Sequence, residues 1–228
     1  MGIRRAFDML TISSLVAPER AATAPALHSA VSEEDTKWFW LVGVGFSLIV
    51  AVPTSVADQW SAEPLGALLG ALCYLLISGG TPVASILGPG RLRKAAAVLA
   101  ATILSVLIVA NADSAVATGG VIICSYSLFS LQPSLAAPNR RTAVLGPILA
   151  PSVLIGTALF VTGLALMGWD SGVNGVLAGG MGCACGMAAY AMSVRTSDGY
   201  APGSFFGGVG CAQFVALATL LLLNSVAA

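Results

Sequence analysis

Apolar residues in this chain come in long blocks, not in alternation. Seven blocks are set apart by short polar or charged breaks: 38–57, 64–87, 95–111, 114–133, 143–168, 172–194 and 204–226. A bilayer crossing takes about 20 mostly apolar residues in a helix. Helix is required because lipid offers no partner to an unpaired backbone group. The third block is short, and it predicts a helix that borrows Lys94 by snorkelling. The pattern therefore predicts an all-α fold, a polytopic membrane helix bundle of six to seven transmembrane helices over 37–228. Residues 1–36 read differently. Ile3, Phe7 and Leu10 share one helical face, which fits either an interfacial amphipathic helix or a loosely ordered cytoplasmic tail. An Ala-, Pro- and charge-rich linker follows, as far as Lys37.

The breaks between blocks alternate in charge. Arg91, Arg93 and Lys94 lie between blocks 2 and 3, Arg140 and Arg141 between 4 and 5, and Arg195 between 6 and 7. The other breaks carry acids only: Asp58 and Glu63, then Asp113, then Asp170. Basic residues accumulate on the cytoplasmic side. The alternation predicts a cytoplasmic N-terminus and, with seven crossings, an external C-terminus. Only Arg195 fixes the last break, so a six-span core with a peripheral seventh helix is the other count. Trp38, Trp40, Trp60 and Trp169 fall at the predicted interfaces, as an aromatic belt does.

Composition agrees with that picture. The chain is 57% hydrophobic and 9% charged, against about 25% charged in soluble domains. Net charge is zero, which leaves no footprint for nucleic acid. Five cysteines lie in apolar blocks and read as small hydrophobes. Arg4 and Arg5 are not followed by an apolar region with a cleavage site, so no signal peptide is expected. No charge lies deep in any block, which argues against ion-coupled pumps and proton relays. The single histidine, His28, sits in the linker. The last block has no lysine for a retinal, and no His/Glu cluster suggests zinc. Neither metal nor cofactor is expected.

What remains is neutral chemistry. Gly172, Gly175, Gly179, Gly182 and Gly186 form a smooth stripe on block 6. Such stripes let helix backbones approach in lipid, within one subunit, between subunits, or along a pore wall. In block 2, "LLISGGTPVASILGPGR" is interrupted at Gly79 to Pro82, since Pro82 disfavours helix at Thr81. Two readings stand: a substrate-lining break, or a helix ending near Ser78 with a short re-entrant or interfacial piece after it. Block 4 is the most polar, with Ser125, Tyr126, Ser127, Ser130 and Gln132. Tyr126 and Phe129 suit stacking on an aromatic ligand, and Ser130 and Gln132 could orient it. The alternative is that these groups, with Asn174 and Gln213, join helices to one another. In block 5, Pro147 suits a first helical turn, where its missing donor costs nothing. Pro151 lies one turn further in and predicts a kink facing the polar side of block 4. For an enzyme, Asp58, Glu63, Asp113 and Asp170 are the candidate acids.

Three stretches carry a family resemblance: "PLGALLGALCYLL", "GRLRKAAAVLAATILSVLI" and "GLALMGWDSGVNGVLAGGMG". Together they resemble the membrane half of fusaric-acid-resistance-like proteins of the aromatic acid exporter type. The resemblance covers about two-thirds of the chain and implies a half-size form that dimerises to make a pathway. The family's soluble domain and second membrane half do not follow block 6. A second stretch, "ICSYSLFSLQPSLAAPNRRTAVLG", looks like the helix, basic turn and helix of bacterial sensor histidine kinase membrane modules. The expectation is a permease or exporter component in the cell membrane, handling a small amphipathic or aromatic molecule as a homo-oligomer in the lipid bilayer. A non-transporting sensor or assembly partner, and a membrane-embedded enzyme acting on a lipid or isoprenoid, are the alternatives.

Overall fold

The computed structural model describes residues 38–78, 93–130, 151–196 and 202–227, and these are helical apart from short turns. The elements are α1 (Phe39–Asp58), α2 (Glu63–Ser78), α3 (Arg93–Ala110), a 3-10 turn (Ala112–Ser114), α4 (Ala115–Ser130), a helical run Pro151–Thr196 and α7 (Pro202–Ala227). The run Pro151–Thr196 is broken at Gly172, and its arms, 151–171 and 173–196, are termed α5 and α6. The N-terminal tail, the interrupted end of block 2, Gln132, Pro147 and the loop bearing Arg140 and Arg141 lie outside the described residues. Pro151 opens the described part of α5, so the expected kink there needs preceding turns that also lie outside.

The break at Gly172 is a reversal. Its φ of 59° and ψ of −142° belong to a region open essentially to glycine alone. A Cβ placed at Gly179 would sit 2.9 Å from both Leu164 Cδ2 and Met167 Sδ, and one at Gly175 would strike the Met167 carbonyl oxygen. Residues so far apart in sequence meet only if α6 folds back along α5. The apolar stretch Leu154–Met192 has 39 residues and would reach about 58 Å as one straight helix. That is twice the hydrocarbon thickness of a bilayer, and the reversal divides it into two arms of ordinary length. Gly172 was expected in the packing stripe, but a Cβ there meets nothing within 4 Å. It makes the turn, while Gly175 and Gly179 receive α5 and Gly182 receives Ala212 and Ala216 of α7. Gly186 is buried as well.

By length and composition, Phe39–Asp58, Leu154–Met192 and Gly207–Val226 can cross a membrane. A fourth crossing arises if Val98–Ala110 and Ala112–Leu128, bent by 76°, count together. Blocks 3 and 4 were expected as two separate crossings; by this measure they count together as at most one. Asn111 supports the bend by donating to Leu107 O (2.8 Å) and Leu217 O (3.2 Å). The chain leaves the bend with α3 packed on α2 and α7, and α4 running through the bundle centre.

α4 packs on α1, on the α5–α6 pair and on α7. Every residue from 117 to 127 is buried, as befits a helix with partners on all sides. Bare backbone allows this. Gly119 lies against Ser47 of α1, and a Cβ on Gly120 would come within 2.6 Å of the Gly163 carbonyl of α5. In α1, Pro53 removes the donor that would serve the Ile49 carbonyl. One residue on, Thr54 Oγ1 bonds Val50 O at 2.9 Å. α2 closes over this stretch through Gly66, which abuts the Pro53 carbonyl, and Gly70, whose Cβ would lie 2.8 Å from Val50 O.

Replacing Gly172 by Ala is expected to cost about 1–3 kcal/mol, the usual strain of a glycine-only conformation. A lowered unfolding midpoint in detergent checks this. Gly180→Ala, where a Cβ meets open space, should leave the midpoint unchanged.

Candidate functional site

The acids that the sequence scatters over three breaks come together in space. Asp58, Glu63, Asp113 and Asp170 line one cavity of about 270 Å³, together with Thr54, Ser55, Ala112, Ala115 and Val116. α1, α5 and the α2 and α4 starts supply its walls, so the acid-bearing ends of these helices share one end of the bundle. None of the lining residues is basic. Asp170 has a structural task as well. Its Oδ2 accepts a 2.8 Å bond from the backbone N–H of Ala117 in the first turn of α4. A carboxylate there satisfies a donor that has no helical partner and faces the positive end of the helix dipole. Among the described residues no group of three or more His, Cys, Asp or Glu is placed to hold a metal ion.

From this end a polar stripe runs inward along α4. Ser114, Thr118 and Ser125 are spaced by four and seven residues, and so share a face. Ser114 Oγ receives weak bonds from Ser171 Oγ and Asn224 Nδ2, both at 3.4 Å. Ser125 Oγ accepts from Gln213 Nε2 at 3.0 Å and donates to Ile122 O at 2.9 Å. Thr118 Oγ1 lies between them, is 1% exposed and has no partner among the described residues.

Ser125 belongs to a layer that ties α2, α4 and α7. Tyr74 donates to Gln213 Oε1 at 3.0 Å, and its hydroxyl stands 3.4 Å from that of Tyr126. Phe46 of α1 closes the layer, edge-on to Tyr74 with centroids 5.0 Å apart and tilted against Tyr126 at 5.6 Å. Tyr74, Tyr126, Ser125 and Gln213 are all fully or almost fully buried. Buried hydroxyls and amides need partners, and here Tyr74 and Gln213 find theirs between helices. Tyr126 fits because Gly43 has no side chain: a Cβ there would collide with that of Tyr126.

The residues proposed from sequence divide accordingly. Tyr126 sits at the centre of the layer, but its ring is shielded by Phe46 and presents no open face. Asn174 stands apart: its Nδ2 reaches Leu223 O at 3.4 Å, joining α6 to the acid-side end of α7. The side chains of Phe129, Ser130 and Pro151, like Gln132, lie outside the described residues. Sequence reading missed Tyr74, Thr54 and Thr118. Tyr74 carried a usable signal, since a lone phenol in "GALCYLLIS" must find a partner inside the bundle.

A double-mutant cycle on Tyr74→Phe and Gln213→Leu should give a coupling of about 1 kcal/mol, typical of neutral interhelical bonds in membrane proteins. Unfolding in detergent measures it. Gln213→Leu alone takes a partner from both Tyr74 and Ser125, and should cost more than Tyr74→Phe alone.

Comparison with protein-family models, curated proteins and solved structures finds no match for this chain.

Proposed function

We propose that this chain is a membrane permease or exporter component for a small amphipathic molecule, and that the acid-lined cavity is its mouth. The observation that supports this best is the line of neutral polar groups that runs from that cavity along α4 into the bundle. Polar side chains inside a membrane bundle are costly and tend to mark substrate paths. The basic breaks, by the positive-inside rule, favour an external position for the cavity. Four carboxylates with no lining cation favour a solute bearing an amine over an aromatic acid. The exposed apolar side chains of α2, among them Leu65, Leu69, Leu72 and Leu76, suit contact with lipid or with a second copy of the chain.

One observation favours a second reading. The acids suggested for a lipid- or isoprenoid-directed enzyme are the ones that share the cavity, and general acid–base chemistry uses such pairs. Asp170 is already engaged by Ala117, which leaves Asp58, Glu63 and Asp113 as the candidates. The sensor or assembly reading rests on residues 1–36 and the basic loops, most of which lie outside the described residues.

Flux of a fluorescent organic amine and of an aromatic carboxylate through protein in liposomes tests the proposal. Amine flux should exceed carboxylate flux. Asp58→Asn, Glu63→Gln and Asp113→Asn combined should lower it about tenfold at low ionic strength, the modest end of what a charged cleft confers, and less in high salt. Flux of neither probe, with unchanged folding, would sink the transport reading. Turnover of a lipid substrate that the three amides abolish would establish the enzyme instead.

A further inference from the structure

Thr118 is the anomaly on the seam between α4 and α7. A threonine within a helix commonly donates to the carbonyl four residues back, as Thr54, Thr102 and Thr162 do at 2.8–2.9 Å. Thr118 makes no such bond and is 1% exposed. Leaving a buried hydroxyl unserved is destabilising, and an isosteric valine would remove that cost. Its position along α4 is informative. It lies about 4.5 Å inward of Ala115, which lines the cavity, and about 10.5 Å short of Ser125 at helical rise. Its neighbours on the stripe, Ser114 and Ser125, are both bonded to α7.

We infer that Thr118 Oγ1 is an inner binding point for one hydrogen-bonding group, a solute amine or hydroxyl or the water that precedes it. That group arrives from the cavity, and the Ser125–Gln213–Tyr74 layer is the barrier it meets next. The inference deepens the transport reading and rests on it for the identity of the solute. The layer suits a barrier because its bonds are neutral and few, so a small displacement of α7 opens it. The same displacement exposes Thr118, since that residue faces the seam between the two clasps.

Thiol accessibility in the full-length protein in liposomes tests this. Ser55→Cys, on the cavity wall, Thr118→Cys, and Val209→Cys, one turn of α7 beyond Gln213 on its own face, are treated from outside with a small cationic methanethiosulfonate. Peptide mass then separates each label from the five native cysteines. Ser55→Cys should react, Thr118→Cys should react about tenfold more slowly, an opening cost of about 1.4 kcal/mol, and Val209→Cys should stay unmodified. Adding Gln213→Leu should let Val209→Cys react. The inference is overturned if Thr118→Cys stays silent while Ser55→Cys reacts, or if Val209→Cys reacts as fast as Thr118→Cys without the Gln213 change. If Thr118→Cys does not fold, Thr118→Val decides by its unfolding midpoint in liposomes: a rise means the hydroxyl serves nothing, and an unchanged or lower midpoint means it is served. Labelling of Thr118→Cys in a protein that carries no amine flux would retain the binding point and remove the transport reading. Flux without labelling would do the reverse.

Discussion

The constraint on which the bundle depends is the approach of α4 to its neighbours over bare backbone. In lipid, apolar side chains gain little by leaving the solvent, so helices associate through close packing and polar contacts. Gly119 and Gly120 bring α4 against α1 and α5, and Gly43 makes room for the Tyr126 side chain. Each close approach draws two backbones together and leaves no room for a side chain between them. With α4 enclosed in this way, a polar group it carries meets a neighbouring helix or its own backbone instead of solvent. The Tyr74–Gln213–Ser125 layer follows from that enclosure.

The same geometry explains the two kinds of polar chemistry in the molecule. Charged groups collect where helices end, at Asp58, Glu63, Asp113 and Asp170, because carboxylates keep their hydration there. Neutral groups occupy the interior, where Tyr74, Gln213 and Ser125 are joined between helices. Asp170 connects the two regimes, since it belongs to the acid cavity and also caps the helix that carries the polar stripe.

Much of the fold was legible in the sequence because hydrophobic block length and loop charge are local signals. The described helices overlap the seven blocks and overrun their edges by one to three residues, and the four acids line one cavity. The relations between blocks were harder to read. Blocks 5 and 6 were separated correctly, yet Gly172 was assigned to a packing stripe. Nothing in one sequence tells a glycine that receives a neighbour from a glycine that turns the chain. The break between blocks 3 and 4 was placed at Asp113, but its sharp angle was not read, and a long-range bond from Asn111 to Leu217 helps to hold it. In the site, Tyr126, Ser125 and Gln213 stood out as polar residues in apolar surroundings. Thr118 did not, because threonine in a helix usually satisfies itself, and its want of a partner is a property of the folded chain alone.

The reversal at Gly172 bears on how the protein is made. With a single residue between them, α5 and α6 have no loop to be threaded ahead of the second helix. For a chain inserting into a bilayer, the polar material to be carried across with this pair is little more than Asp170 and Ser171. The two helices would then enter together as a preformed hairpin, their interface already closed by Gly175 and Gly179. Because Asp170 also caps α4, arrival of that hairpin would complete the start of a helix synthesised before it. The centre of the bundle would thus mature only after its later neighbours are in place.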